Sequence, residues 1–282
     1  IEEVLKEGET LGFDGRVVSV GEGEGYAAIA GKKNAKVNYQ VDLIDEIWED
    51  RPVLSEEPAF NLDVKYAGET VASKLARIRE EMKEAGTNVH VVSTLDDICW
   101  TLNIRGNDID FFPLVLSYGI ITMDSFELYI DERKLDDKLK AKLAKDGVNL
   151  HPYNDIYEDV KKFDSDVVAM IDPGKLNYAL FNNIPENVKT VKKRNPAILM
   201  KAIKNPVEIE NIRKAQIKDS VAHVRFMKWL KENVGKMRIT EMSASDKLDE
   251  FRAEMGKFIR PSFEPISSFG EHGAIVHYTS SP

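Results

Sequence analysis

The stretch "TVASKLARIREEMKEAGTNVHVVS", from Thr70 to Ser93, carries a complete helix–strand unit. Thr70 occupies an N-cap position, and Gly86 follows the helical pattern as a stop signal. The apolar run "VHVV" then predicts a buried strand. The helix is predicted by apolar residues that recur at helical spacing, which are Val71, Leu75, Ile78 and Met82.

The elements downstream continue this alternation. The short helix "LDDICWTLN" is followed by two adjacent strands, "LVLSYGII" and "SFELYID", then by a Lys-rich helix and a last clear strand, "VVAMID". Such alternation predicts an α/β domain with core on both sides of its sheet, which we place at residues 62–197. The polar, proline-containing segment "EDRPVLSEEPAFN" separates it from residues 1–61.

A weak internal repeat relates residues 1–61 to the end of this domain. "TLGFDGRVVS…GYAAIA…AKVNYQ" matches "VAMIDPGKLNYALFNN…NVKTVK" when Asp14 is aligned with Asp172. Each copy reads as an apolar strand ending in Asp, a turn, a small-residue helix and another strand. The match predicts that residues 1–61 are the C-terminal half of a similar domain, opened by the helix-like "IEEVLKEG". Chance similarity stays open, because strand–Asp–Gly–helix is a common pattern.

The remaining residues, 198–282, predict two helices and two strands. Asn205 is the expected N-cap of a long helix, with Pro206 at its first position and Gly235 past its end. The strands are "SFEPISSFG" and "GAIVHY", an incomplete set for a domain. The apolar stripe of the long helix is Ile217, Val221, Val224, Met227, Leu230 and Val234. The second helix, 240–255, is expected to bury Ala244, Leu248, Phe251 and Met255.

The composition excludes several classes of protein. The chain has 282 residues, 43% of them hydrophobic and 31% charged, which is typical of a globular protein of about two domains. A net charge of −9 argues against a nucleic-acid partner. No segment reaches the ~20 apolar residues of a membrane span, so no membrane partner is expected. The single cysteine, Cys99, fits a reducing compartment, and we expect a cytoplasmic location.

Three stretches together resemble a known family. "KNPVEIENIRKAQIKDSVAH", "ITEMSASDKLDEFR" and "SFEPISSFGEHGAIVHY" are similar to the start of the pita-bread catalytic domain of Xaa-Pro aminopeptidases (aminopeptidase P), metallopeptidases related to prolidase and creatinase. "LDDICWTLNIRGNDIDFFPLVLSYGIITMDSFELYID" resembles the second creatinase-like domain of the three-domain form. "VDLIDEIWEDRP" resembles the junction before it. The implied fold is α/β, with creatinase-like mixed-sheet domains followed by the start of a pita-bread domain.

The resemblance also implies a function. Xaa-Pro aminopeptidases remove an N-terminal residue that precedes proline, using two manganese ions, so proline-containing peptides are the implied substrates and a homodimer the implied assembly. The family's metal ligands are two aspartates, a histidine and two glutamates downstream of the "HY" segment. We therefore expect no metal ligand in this chain, no manganese bound to it, and no activity from these 282 residues alone.

Two residues are candidates for the site. His277 ends the predicted strand "GAIVHY", where a histidine is more often structural. The resemblance implies instead that it lines the active-site cleft and stabilises the tetrahedral charge by a hydrogen bond. Arg105, in "NIRGND", either pairs with Asp108 or Asp110 as a structural arginine or, as the resemblance implies for such loops, faces the catalytic cleft of its own or a partner subunit and contacts substrate. Tyr278 is expected to pack.

Other interpretations stay open. A prolidase- or creatinase-type enzyme is disfavoured by the repeated creatinase-like domain. A non-catalytic pita-bread module that binds proteins, as in the large subunit of a histone chaperone, is disfavoured by the retained His277. Incomplete domains argue against a short interaction protein. The acidic stretches "DLIDEIWED" and "DSFELYIDERKLDD" predict solvated surface, and structural roles are expected for His90, His151, His223 and the turn residue His272.

Overall fold

The computed structural model describes all 282 residues, which form two compact units. The first unit contains residues 1–64, 69–108 and 114–203, and the second contains 65–68, 109–113 and 204–282. Residues 1–61 share a unit with the main α/β region, so the domain boundary at residue 61 stays a prediction. None of the helices combines the length and the apolar character that crossing a membrane requires.

Ten strands occur along the chain. They are β1 (Thr10–Gly12), β2 (Lys36–Asn38), β3 (Phe60–Asn61), β4 (Val89–Val92), β5 (Ile104–Arg105), β6 (Ser117–Thr122), β7 (Phe126–Ile130), β8 (Val148–His151), β9 (Val168–Ile171) and β10 (Lys189–Lys192).

Ten α-helices accompany them. They are α1 (Val20–Lys32), α2 (Val64–Ala67), α3 (Val71–Glu84), α4 (Leu95–Leu102), α5 (Asp137–Lys145), α6 (Ile156–Asp159), α7 (Tyr178–Asn182), α8 (Ala197–Ala202), α9 (Pro206–Asn233) and α10 (Glu241–Glu254). Short 3₁₀ helices occupy Glu132–Lys134, Val160–Lys162 and Gly270–Ala274.

A six-stranded mixed sheet forms the centre of the first unit. Its strand order is β10-β9-β4-β6-β7-β8, with β10, β9 and β4 mutually parallel and β6 antiparallel to both β4 and β7. Consecutive residues of a strand point to opposite faces. Val91 accordingly joins the core on one face of the sheet and Val92 the core on the other. The predicted α/β class with a mixed sheet is confirmed.

The helix predicted at Thr70–Gly86 is present. Thr70 Oγ1 accepts a hydrogen bond from the Ser73 N–H (3.2 Å), and Gly86 adopts the left-handed φ of +67° that ends the helix at low cost. All four apolar residues of the pattern are at most 2% exposed in the core between α3 and the sheet. Burial of this stripe, rather than helix propensity alone, stabilises a helix of this length.

The predicted repeat is visible in the structure. In each copy an Asp follows the first strand and its side chain caps a turn: Asp14 Oδ1 accepts from the Arg16 N–H, and Asp172 Oδ1 from the Gly174 N–H. Five residues further on, Ser19 and Asn177 are the N-caps of α1 and α7. Each copy also pairs its two strands in parallel.

The two copies also contact each other symmetrically. Ser19 and Asn177 form an antiparallel bridge. Four backbone hydrogen bonds surround this bridge and form two equivalent pairs. Within a pair, each residue of one hydrogen bond is separated from its equivalent in the other by the same number of residues that separates Asp14 from Asp172. They run from Val20 N–H to Leu176 O (2.9 Å), Tyr178 N–H to Val18 O (2.8 Å), Gly21 N–H to Pro173 O (2.8 Å) and Ala179 N–H to Gly15 O (2.9 Å). Chance similarity of the two sequences does not explain this arrangement.

The helix predicted at "IEEVLKEG" is wrong. Residues 1–8 form turns, and Gly8 has a φ of +77°. A single helical turn fixes several dihedral angles for few hydrogen bonds, so it needs packing to persist. Only Leu5 of this segment is buried.

Helices α9 and α10 belong to the second unit and begin as predicted. Asn205 caps α9 by accepting hydrogen bonds from the N–H groups of Val207 and Glu208, and Thr240 caps α10. The Arg252 guanidinium joins the two helices through Asp219 (2.8 Å).

The burial predicted for four side chains of α10 is wrong, and most of the apolar stripe identified on α9 is exposed. Ala222 is the sole buried residue of α9, and α10 has none. Four members of the α9 stripe are more than half exposed, namely Ile217, Val224, Met227 and Val234. The expected core residues of α10 are half-buried, namely Ala244, Leu248, Phe251 and Met255. Helical spacing identified these residues, but within this chain α9 and α10 pack mainly on each other, which covers only part of each apolar stripe.

Two glycines of α1 allow a controlled test of the contact between the two copies of the internal repeat. A Cβ on Gly23 would lie 2.2 Å from a ring carbon of Tyr178, whereas a Cβ on Gly25 would meet nothing within 4 Å. We predict that Gly23→Ala lowers the free energy of unfolding by about 1–3 kcal/mol through overpacking. Gly25→Ala should raise it by about 0.5–1 kcal/mol through helix propensity. Urea denaturation measures both, and equal effects would contradict the close approach.

Candidate functional site

The segment that contains His277 adopts no strand. "SFEPISSFG" and "GAIVHY" were predicted as strands, and both predictions are wrong. A strand satisfies its N–H and C=O groups through a neighbouring strand, and none pairs with residues 257–282. His277 is exposed, has a left-handed φ of +53° and forms no hydrogen bond or ion pair. Its imidazole is thus accessible but not oriented by any contact in this chain.

Glu241, in the first turn of α10, holds this segment. Its carboxylate accepts hydrogen bonds from the Phe269 N–H (2.5 Å) and the Tyr278 hydroxyl (2.6 Å), and it lies 3.0 Å from His272 Nδ1. The Tyr278 hydrogen bond is the main cause of a lowered pKa of Glu241. Tyr278 also stacks on the His272 ring at 4.6 Å. His272 and Tyr278 therefore have structural contacts, and the neighbouring His277 does not.

Arg105 lies in β5 and is half-buried. Its Nη1 donates to the carbonyl oxygens of Cys99 (2.9 Å) and Ile104 (2.8 Å), which fastens β5 to the last turn of α4. Burial raises the pKa of the adjacent Cys99 thiol to about 11, so Cys99 is protonated and a poor nucleophile near neutral pH. Arg105 belongs to the first unit and His277 to the second.

Asp108, one of the partners considered for Arg105, pairs with a lysine. Its Oδ2 accepts hydrogen bonds from Lys134 Nζ (2.6 Å) and the Leu116 N–H (2.7 Å). The side chains of Asp108 and Lys134 are 0% and 2% exposed, and Asp108 Oδ1 is buried without a hydrogen bond. This buried ion pair connects the loop that follows Arg105 to the 3₁₀ helix at Glu132–Lys134. The pair is not apparent from the sequence, because Asp108 and Lys134 are 26 residues apart and β6 and β7 lie between them.

A buried polar network lies where β4, β9 and β10 end. Asn195 donates through its side-chain amide to Asp97 Oδ2 (2.9 Å), and its N–H donates to Asp172 Oδ2 (2.9 Å). His90 Nε2 lies 3.2 Å from Asn195 Oδ1, and His90 Nδ1 lies 3.0 Å from the Met170 carbonyl oxygen. Burial lowers the pKa of His90, opposed by these contacts and by the two carboxylates. The structural role expected for His90 is the one observed.

His151 also lies close to a carboxylate. It ends β8, where Nε2 lies 2.7 Å from Glu127 Oε2 and the ring stacks on Tyr129. This is a pair and not a metal site, because no group of three or more His, Cys, Asp or Glu residues in the chain is arranged to hold a metal ion. A dinuclear metal centre therefore does not fit the residues present here.

Two family models cover most of the chain. The Creatinase/Prolidase N-terminal domain matches residues 50–208, and Metallopeptidase family M24 matches residues 210–282. The mixed sheet and its flanking helices place the first unit in the class of creatinase-like α/β domains. The chain belongs to the Creatinase/Prolidase N-terminal domain family, and its matched region leads directly into the start of an M24 domain.

Relatives and a solved structure agree with this assignment. The chain is 35% identical to a probable Xaa-Pro aminopeptidase P of Sordaria macrospora and to Xaa-Pro aminopeptidase 1 of Dictyostelium discoideum, over 96% and 97% of its length. It spans 46% of each relative's length. The structure of an X-prolyl aminopeptidase from Caenorhabditis elegans, described as a cytosolic enzyme with a di-nuclear active site, superimposes with a TM-score of 0.91 at 32% identity. That match covers 98% of this chain and 46% of the other.

The buried pair Asp108–Lys134 predicts a large asymmetry between two lysine substitutions. Lys134→Met leaves the Asp108 carboxylate buried without its counter-ion, which should cost about 3–5 kcal/mol of stability. Lys140→Met removes a solvated pair with Glu132 (3.2 Å, side chains 34% and 47% exposed) and should cost at most about 1 kcal/mol. Urea denaturation of both variants measures the difference. Equal costs would show that Asp108 is not held as a buried charge.

Proposed function

We propose that the protein containing this chain removes an N-terminal residue that precedes proline. The observation that carries the proposal is the superposition with the X-prolyl aminopeptidase, which extends over nearly the whole chain at 32% identity. A likeness of fold alone would not reach this level of identity over both units. Proline-containing peptides are the proposed substrates.

A pair of metal ions, proposed to be manganese, would supply the nucleophile in such an enzyme by acidifying a bound water. The residues of this chain do not form a site for them. The contribution that these 282 residues can make is to bind and orient peptide and to stabilise charge that develops during hydrolysis.

His277 and Arg105 are the residues proposed for these roles. His277 is exposed and free of partners, so its imidazole can donate a hydrogen bond to an incoming peptide oxygen without first breaking a contact. The Arg105 Nη1 group donates to two backbone carbonyls, which holds the guanidinium in place and limits the side-chain entropy lost on contact with a ligand. We propose that His277 stabilises the oxyanion and that Arg105 contacts substrate.

We propose a cytoplasmic location and a homodimer as well. The buried, protonated Cys99 is compatible with a reducing compartment, and the C. elegans enzyme is described as cytosolic. Light scattering on the complete protein tests the dimer.

The activity is tested on the complete protein encoded by the gene. We predict that it releases the first residue from a peptide with proline second and not from the matched peptide with alanine second. A chelator should abolish release, and manganese should restore it, because the nucleophile depends on bound metal. The chain of residues 1–282 alone should show no release in the same assay.

Three outcomes would contradict the proposal. Release that persists in chelator would exclude a metal-bound nucleophile. Equal rates on the two peptides would exclude specificity for proline. A complete protein that binds proline-containing peptides without cleaving them would instead favour a non-catalytic binding module.

Substitutions in the complete protein separate the two proposed roles. His277→Ala should lower kcat by about 10²–10³ with little change in KM, as loss of an oxyanion donor does. Arg105→Lys keeps the charge but loses the planar fork, and should raise KM more than it lowers kcat. His272→Ala is the control, because His272 contacts Glu241 and is assigned no part in the reaction. If His277→Ala and His272→Ala behave alike, His277 has no special role.

A further inference from the structure

A crevice of about 500 Å³ opens at the carboxyl ends of β4, β9 and β10. In open α/β sheets, ligands bind in the crevice outside the carboxyl ends of parallel strands. The volume falls within the usual range for a small-molecule site. The crevice is distinct from the residues proposed for peptide hydrolysis, since it includes neither Arg105 nor His277.

The carboxylates in the wall of the crevice already have donors. Asp97 is fully buried and accepts hydrogen bonds from Thr94 Oγ1 (2.6 Å), from the Asn195 side-chain amide and from Lys201 Nζ (2.8 Å). Asp96 also pairs with Lys201. Asp172 is occupied on both oxygens by backbone N–H groups. Each of the three carboxylates therefore already has a hydrogen-bond donor or a lysine within this chain.

The basic side chains of the wall do not all have an acidic partner. Lys192 pairs with Glu24, and Lys193 with Glu81 at 3.1 Å. Lys175 and Arg194 line the crevice, are exposed, and form no ion pair. The wall contains three acidic and five basic side chains on a chain whose net charge is −9. Lys175 and Arg194 are therefore two cations without a carboxylate partner that line the same crevice.

We propose that this crevice binds the phosphate group of a small anionic molecule, with Lys175 and Arg194 as its counter-ions. A planar guanidinium matches the oxygens of a phosphate in bidentate fashion, and a lysine adds a point charge. Asn195 follows Arg194 directly and is fixed on both its backbone and its side chain, which holds Arg194 at the rim. The site is independent of the proposed peptidase activity.

Isothermal titration calorimetry on the full 282-residue chain tests the site. The probes are inorganic phosphate and phosphoserine, in buffers matched for ionic strength with chloride because such contacts are screened by salt. We expect binding of the phosphate group to the unsubstituted chain. The double variant Lys175→Ala/Arg194→Ala should raise the dissociation constant at least about tenfold, since each removes a charge-assisted hydrogen bond. Its positions are exposed, so the fold should tolerate it.

The matched control is Lys189→Ala. Lys189 is an exposed lysine at the opposite end of β10, so it changes the net charge on the same strand but not in the crevice. It should alter the dissociation constant by less than about twofold. Tighter binding of phosphoserine than of inorganic phosphate would identify an organic phosphate as the ligand, and equal binding would identify free phosphate. The proposal is overturned if neither probe binds, or if the double variant and the control weaken binding equally.

Discussion

The position of Asn195 is the constraint on which the centre of the first unit depends. Its backbone N–H binds Asp172 at the end of β9, and its side-chain amide binds Asp97 in α4 while its oxygen receives the Ala197 N–H (3.1 Å) at the start of α8. His90 of β4 contacts the same oxygen. One buried side chain thus fixes the ends of the three parallel strands relative to two helices. Each of its polar atoms has a partner, which is the condition for burying such a network without a large cost.

A second constraint fastens residues 1–40 to this centre. The two copies of the strand–Asp–turn–helix unit contact each other at the N-caps of their helices. Their backbones are close enough for four hydrogen bonds, of which each copy donates two. Such an approach leaves no room for a side chain at Gly23, which packs on the Tyr178 ring. The two copies of this unit are therefore joined through their backbone groups.

The second unit differs in how it is stabilised. Ion pairs and cation–aromatic contacts such as Arg225 over Phe251 (4.7 Å) join its two helices, and its C-terminal residues contact Glu241. Large apolar side chains of α9 face solvent. Residues 210–282 match Metallopeptidase family M24, whereas the first unit buries two apolar clusters. His277 is accessible in this setting because nothing packs against it.

The sequence by itself determined the elements whose signals are local. The caps at Thr70, Asn205 and Thr240 act within one turn, and the apolar pattern of α3 needs only the sheet beside it, so these were predictable. The repeat was also visible, because both copies keep Asp and N-cap at one spacing. Tertiary structure alone decided the contacts that join distant residues, such as Asp108 with Lys134 and Asn195 with His90. It also decided that "GAIVHY" is not a strand, because strand formation depends on a partner strand that no local pattern can supply.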